Sequence, residues 1–358
     1  MHLNQVPESL NDVEVIAPNL KRKLSGVTST IIQLVPLQRA NGLGIVTIGP
    51  GLPATLPHIG WADLRGAWFK PRNRPFRIWH ARRNTEMVAG IILRSVLRMK
   101  FKLLFTSAAQ RDHRSFTKWL IRQMDGVIAT SGKSGSFLKV PHRVIMHGID
   151  TEKFYPPQNE EDAFSASGLP GKYLVGCSGR IRPSKGTDLF VDAMINLLPK
   201  YPEWTAVMTG RTTAEFSGFE KDLRGRIAAA GLQDRILFLG EVPDVRVWYR
   251  RMTLYVAPSR NEGFGLTPLE AMSSQTAVVA SDAGAYAEMI ELETGAVVPA
   301  GDGLALEKAI EPYLADPAKC EAAAKAGLAH VRANFPLQKE ASSILEVYET
   351  IFADERVG

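Results

Sequence analysis

Cysteine is nearly absent from this chain: Cys177 and Cys320 are the only two in 358 residues. Cys177 falls in an apolar strand pattern and Cys320 in an alanine-rich helical one, so no disulfide framework is expected and a reducing compartment follows. No run approaches the ~18 uninterrupted apolar residues of a membrane-spanning helix. Met1-His2-Leu3-Asn4-Gln5 has no basic region followed by an apolar core, so no signal peptide is expected and the chain is placed in the cytoplasm. Asp-x-Asp occurs nowhere. Such paired carboxylates hold a divalent ion on a diphosphate, so no metal and no other cofactor is expected. No Gly-x-Gly-x-x-Gly follows the first strand pattern, which disfavours a dinucleotide oxidoreductase. Acid is scarce in one region: between Trp61 and Arg143 there are 18 Lys and Arg against 4 Asp and Glu, within a chain of formal charge +6. A basic half implies an anionic partner. No aromatic-interleaved basic motif accompanies it, and nucleic acid is not expected as that partner.

Apolar residues make up 45% and charged residues 22%, the proportions of an ordinary globular protein. Short strand patterns alternate with helical ones. Val13–Pro18, Gly44–Ile48, Phe76–Trp79, Lys102–Thr106, Gly126–Ser131 and Arg143–Met146 read as strands. Val27–Leu37, Thr85–Arg98 and Phe116–Met124 read as helices. Tyr155 to Asp162 and Gly168 to Gly171 read as a linker, after which the alternation restarts. This is an α/β chain of mostly parallel sheets. The expected domains are 1–160 and 161–335, followed by a closing helix, 336–358.

Two stretches carry chemistry. An apolar strand, Tyr173–Cys177, runs into Ser178-Gly179-Arg180-Ile181-Arg182-Pro183-Ser184-Lys185-Gly186. Gly179 lets the backbone turn tightly beneath a ligand. Arg180 offers a planar donor fork and Lys185 a compact charge. Cations held in a dry cleft stabilise the charge that grows on a departing nucleoside diphosphate. The second stretch is Pro258-Ser259-Arg260-Asn261-Glu262-Gly263-Phe264-Gly265-Leu266-Thr267-Pro268-Leu269-Glu270. Its glycines bring backbone N–H groups close to a ligand, and Pro268 suits a first helical turn. Glu270 can accept two vicinal ribose hydroxyls, and Glu262 the hydroxyls of a transferred sugar. Together the stretches describe a nucleotide-sugar site. Ser25-Gly26-Val27-Thr28-Ser29, a small-residue turn into a helix, is a candidate phosphate contact from the N-terminal side.

These motifs, with FLGEV, VIMHGIDTEKFYP and the closing helices, resemble the family 4 retaining glycosyltransferases of the GT-B fold. The resemblance covers nearly the whole chain and is most specific over 173–300. It implies two doubly wound, Rossmann-like domains facing a central cleft, with 1–160 taking an acceptor, 161–335 taking a nucleotide sugar and 336–358 packing back on the first. It implies that Arg180 and Lys185 bind the donor diphosphate. It further implies that Glu262 meets the donor sugar, Glu270 the ribose, and Gly263, Phe264, Gly265 and Leu266 an amide loop. Val242 and Pro243 fall where the base usually sits, and Gly26 matches an N-terminal glycine loop in which Ser25 replaces a second glycine. Many relatives carry a histidine after the strand Lys102–Thr106. Here it is missing or displaced to His113, and Arg111 or His80 are candidates for its polar role. His147 is read as structural.

The pattern from Ala108 to His113, with Met124-Asp125-Gly126 and His147-Gly148-Ile149-Asp150, is similar to bacterial lipopolysaccharide core mannosyltransferases. That similarity implies GDP-mannose as donor. The implied acceptor is a Kdo-containing lipid A precursor, anionic and lipid-linked, at the cytoplasmic face of the inner membrane. The implied reaction is metal-free and retaining, with Arg180, Lys185, Glu262, Arg111 and His113 as catalytic residues. A UDP-hexose transferase acting on another acceptor and a non-catalytic nucleotide-sugar-binding subunit are the alternatives.

Overall fold

The structure is a computed structural model of the chain and describes residues 10–22 and 26–354. Ser25, part of the Lys21–Gly26 loop and the Met1–Gln5 segment lie outside the described residues. The chain divides into two compact units. Unit 1 runs to Met146 and takes in the stretch from Leu337 onward; unit 2 is His147–Pro336.

Unit 1 holds strands β1 (Val15–Pro18), β2 (Ile45–Ile48), β3 (His58–Ile59), β4 (Arg77–Ala81), β5 (Phe101–Ser107), β6 (Gly126–Ala129) and β7 (Arg143–Val144). They form one sheet in the order β3-β2-β1-β4-β5-β6-β7. Every pairing is parallel. β1, β2 and β4 are buried along their whole length, as expected where helices cover both faces of a parallel sheet. On one face Ile31, Leu34 and Val35 of helix Gly26–Ala40 pack with Ile344, Val347 and Tyr348 of helix Leu337–Ala353. The closing helix is therefore part of unit 1. On the other face Met87 and Leu120 join Trp79, Leu103 and Phe105.

Unit 2 holds β8 (Tyr173–Ser178), β9 (Trp204–Thr209), β10 (Ile236–Gly240), β11 (Leu254–Ala257), β12 (Ala277–Ser281) and β13 (Gly295–Val298). The order is β10-β9-β8-β11-β12-β13, again all parallel. This is the doubly wound arrangement in which strand order reverses beside the first strand, here between β8 and β11.

Several expectations need correction. Tyr155 to Asp162 is not a linker between the units. Asp162 is buried and paired with buried Arg250 (2.5 Å), and Ser273 Oγ donates to the Phe154 carbonyl (2.6 Å). These bonds tie the segment to unit 2, and the unit boundary falls at 146/147, earlier than 160. The helix expected over Thr85–Arg98 ends at Ile91 and passes into a π turn over Ile92–Val96. A helix expected over Gly284–Ile290 is confined to Tyr286–Met289; Gly284 precedes it in a left-handed conformation (φ 62°) beneath the Phe264 carbonyl.

Candidate active site

In unit 2, β8 and β11 deliver two loops to the carboxyl edge of the sheet at the point where strand order reverses. Ligands of open α/β sheets bind in that crevice. The first loop runs from Gly179 to Gly186 and the second from Pro258 to Leu266.

The loops are locked to each other. Gly186 has φ 69°, and a Cβ there would stand 1.9 Å from the Pro258 carbonyl oxygen. The Arg260 and Asn261 amides both donate to the Ser184 carbonyl, at 3.0 and 3.2 Å. The Arg260 guanidinium forks onto both carboxylate oxygens of Asp188, at 2.7 Å each, and that pairing raises its pKa.

Within this frame Lys185 Nζ makes an ion pair with Glu262 Oε1. The pair is largely buried, with side-chain exposures of 22% and 15%. Ser259 Oγ donates to the same carboxylate oxygen at 3.3 Å, and the Tyr286 hydroxyl stands 3.5 Å from it. Gly179 (φ 137°) lies against the stem of Lys185: a Cβ there would sit 3.9 Å from Lys185 Cδ and Cε. Gly265 (φ 87°) is packed on Tyr286, whose ring would be 2.3 Å from an added Cβ.

Glu270 sits in the first turn of helix Thr267–Ser273, where Pro268 occupies an opening position. The Tyr249 hydroxyl donates to its Oε2 at 2.8 Å. Burial raises the Glu270 pKa, opposed by that hydrogen bond and by the charge of Lys185. Phe264 is buried, and its ring meets His147 edge-on with centroids 4.7 Å apart. Its side chain is therefore packing, while the loop backbone on either side, at Gly263 and Leu266, is exposed or half-buried.

Arg180 is exposed and forms no ion pair among the described residues. Val242 and Pro243 follow β10, and the adjoining turn is pinned by the Gly210 amide donating to the Gly240 carbonyl (2.7 Å). No hydrogen bond or ion pair among the described residues joins Arg180, Val242 or Pro243 to Lys185 or Glu262. Sequence reasoning missed Tyr249, Tyr286 and Ser259. Tyr249 and Tyr286 reach their carboxylates from elsewhere in the fold, and only Ser259, in the same loop as Glu262, left a local signal.

The remaining candidates lie in unit 1. Arg111 and His113 line one cavity of about 630 Å³ beyond β5, with Arg82, Ser107 and Arg114. Burial lowers the His113 pKa, and its Nε2 is buried with no hydrogen-bond partner among the described residues. Arg82 is 9% exposed and donates Nη1 to the His80 carbonyl (3.2 Å). Helix Ser115–Arg122 begins beside the cavity with no side-chain cap.

His80 is not among the residues that line this cavity. It is wholly buried, with Nδ1 2.6 Å from the Tyr348 hydroxyl and Nε2 2.7 Å from Thr106 Oγ1. Gly26 opens its helix at the surface with open space around it. Thr28 is buried, bonded to Asn19 Oδ1 (3.2 Å) and Arg83 Nη2 (3.0 Å). Arg83 also holds buried Glu86 (2.7 Å). This network sits where the unit 1 strand order reverses, between β1 and β4, and was not anticipated. The polar residue directly after β1 and the Arg-Arg pair directly after β4 are its only sequence trace.

Two Rossmann-like parallel sheets, with a lysine and two glutamates at the switch point of the second, define a GT-B glycosyltransferase. Residues 159–330 match the family "Glycosyl transferases group 1", and the chain belongs to that family. It is 63% identical over 348 residues to the lipopolysaccharide core biosynthesis mannosyltransferase LpcC of Rhizobium leguminosarum bv. viciae, covering 97% of this chain and 99% of that protein. It is 52% identical over 346 residues to LpsB of Rhizobium meliloti (strain 1021), described in the same words, covering 96% and 99%. The fold resembles the crystal structure of HepE from Anabaena in complex with UDP: TM-score 0.80 at 19% identity, over 94% of this chain and 100% of that one.

Proposed function

We propose that this enzyme transfers mannose from GDP-mannose to Kdo of a lipid A precursor during assembly of the lipopolysaccharide core. The reaction retains configuration, uses no metal, and takes place at the cytoplasmic face of the inner membrane. The observation that carries this reading is the Lys185–Glu262 pair with Glu270 at the switch point of unit 2. The 63% identity to LpcC, along nearly the full length of both chains, supports mannose and the lipopolysaccharide core.

Each residue has a defined task. Lys185 and Arg180 compensate the diphosphate, whose charge rises as the bond to the sugar anomeric carbon breaks. A diphosphate arriving at Lys185 competes with Glu262 for its ammonium and leaves that carboxylate able to accept sugar hydroxyls. Glu270 accepts the ribose hydroxyls, with Tyr249 fixing its orientation. Backbone around Gly263 and Gly265 offers amides to the donor, and Val242 and Pro243 flank the base. The acceptor oxygen bonds to the anomeric carbon on the face the phosphate leaves, and the departing phosphate oxygen takes the acceptor's proton. Arg82, Arg111 and Arg114 around the unit 1 cavity suit an acidic acceptor sugar, with His113 beside them.

The test is transfer by the purified chain from labelled GDP-mannose to a Kdo-bearing lipid A precursor, with EDTA present and with UDP-glucose and UDP-galactose as competitors. Mannosylated product that resists both supports the reading. Labelled hexose from a UDP donor replaces it with the UDP-hexose alternative. GDP binding without any turnover replaces it with the non-catalytic one.

A further inference from the structure

Part of the basic region of unit 1 combines fixed apolar side chains with unpaired cations. The 3-10 segment Trp61–Trp68 and the π turn Ile92–Val96 meet along a seam. The Trp68 indole N–H donates to the Leu97 carbonyl (2.7 Å), and the Lys100 amide donates to the Ala67 carbonyl (3.1 Å). On this seam Phe69 is 72% exposed and Val96 69%, with Trp68 and Leu97 also exposed.

The backbone that presents them is anchored from below. Arg77 is completely buried and donates to the Phe69 carbonyl (2.5 Å) and the Leu10 carbonyl (2.8 Å). Leu64 and Ala67 are buried between the exposed residues. A fixed backbone that holds large apolar groups in water is not a fold requirement, because the same segment already buries its other face. Such a patch marks an interaction surface.

Its edge is cationic. Lys70, Arg98 and Lys100 are exposed and have no carboxylate partner among the described residues. Arg94 differs, since it is paired with Asp125 (2.9 Å) and bonded to the Gln123 carbonyl. From Trp61 to Lys100 the acids are Asp63 and Glu86; Glu86 is buried and Asp63 accepts from the Gly60 amide (2.7 Å).

We infer that this seam docks on an anionic phospholipid surface, with Phe69 and Val96 entering the acyl boundary and Lys70, Arg98 and Lys100 meeting headgroup phosphates. The inference rests on the membrane-surface reading of the preceding subsection and names the residues that would achieve it. Among the described residues no helix is long and apolar enough to cross a membrane. Amphipathic surface contact combines buried apolar area with basic residues facing anionic lipid. The tryptophan suits the headgroup level, where an aromatic ring with one polar edge is favoured. Pairing with a second copy through this patch would bring the uncompensated cations of both copies together. Single-stranded nucleic acid would use the cations and Trp68, but it has no use for Val96 and Leu97, which offer no face for stacking.

The experiment is co-sedimentation of the full chain with phosphatidylethanolamine–phosphatidylglycerol vesicles and with phosphatidylcholine vesicles. It compares the parent with Phe69→Ser/Val96→Ser and Arg98→Glu/Lys100→Glu. GDP binding by calorimetry confirms that each variant is folded with its donor site intact. The parent is expected to bind the anionic vesicles, and less well as salt rises. Each double variant should lose binding by about tenfold or more, from lost apolar area in one case and reversed charge in the other. Full binding by both double variants overturns the surface while leaving membrane association in place. Self-association abolished by Phe69→Ser, or displacement from vesicles by an oligoribonucleotide, assigns the patch to another partner and overturns it. If the parent ignores anionic vesicles yet mannosylates a delipidated acceptor, the docking surface and the membrane reading both fall and the transferase reading stands.

Discussion

Lys185 and Glu262 are 77 residues apart and form one ion pair. The sequence reading gave them separate tasks, phosphate for one and sugar for the other, because local motifs do not reveal contacts between loops. The pairing predicts that they act as a unit. Lys185→Ala should lower kcat by about 10²- to 10³-fold, the loss typical of removing one group that stabilises transition-state charge. Lys185→Ala/Glu262→Gln should fall less than about tenfold further, measured as a double-mutant cycle on donor turnover. His80 makes a pH prediction. Burial, then the charge of Arg82, holds its imidazole well below the ordinary value of 6.5. In the unfolded chain it titrates at that ordinary value, so acidification protonates the unfolded state first. The stability His80 contributes is therefore present above about pH 6.5 and lost as pH falls toward the folded pKa. His80→Gln keeps a donor and an acceptor without titrating, and its Tm should fall less steeply between about pH 6.5 and 5.

At the scale of elements, the alternation of strands and helices was legible from apolar runs bounded by glycine, proline and polar residues. Most ends shifted by a residue or two, but the helix expected over Val27–Leu37 runs on to Ala40 and the one over Thr85–Arg98 stops at Ile91. Composition misled at Tyr155–Asp162, because a polar, proline-containing stretch reads the same whether its acid faces water or a buried arginine such as Arg250. Glycine positions were legible, but the backbones that approach them were not. At Gly186 the place of a Cβ is taken by the Pro258 carbonyl, so this glycine joins the two site loops. Gly186→Ala should therefore cost about 2 kcal/mol or more, combining left-handed strain with a backbone clash, and should reduce donor binding. Gly231→Ala, at the same φ of 69° but with nothing within 4 Å, should cost about 1 kcal/mol and leave donor binding unchanged. Chemical denaturation with calorimetry on the same samples separates the two.

At the scale of the molecule, the uneven charge was visible in sequence. Which cations are free was not, since Arg94 and Lys102 both pair with Asp125 while Lys100 does not. The same holds for the unit 1 cavity: Arg111 and His113 were readable as candidates, but the space they share with Arg82 depends on how β4 and β5 end side by side. The proposed roles of Lys185 and Arg180 in charge compensation predict donor turnover unchanged by EDTA; a loss restored by added Mg²⁺ would assign that compensation to a metal ion. The central claim is that the crevice between β8 and β11 grips the pyrophosphate of a sugar nucleotide. A crystal structure of the full chain with GDP tests it most directly. The expected result places the diphosphate on Lys185, Arg180 and the loop after Gly179, with the ribose hydroxyls on Glu270. GDP bound away from Lys185 and Glu270 would contradict it.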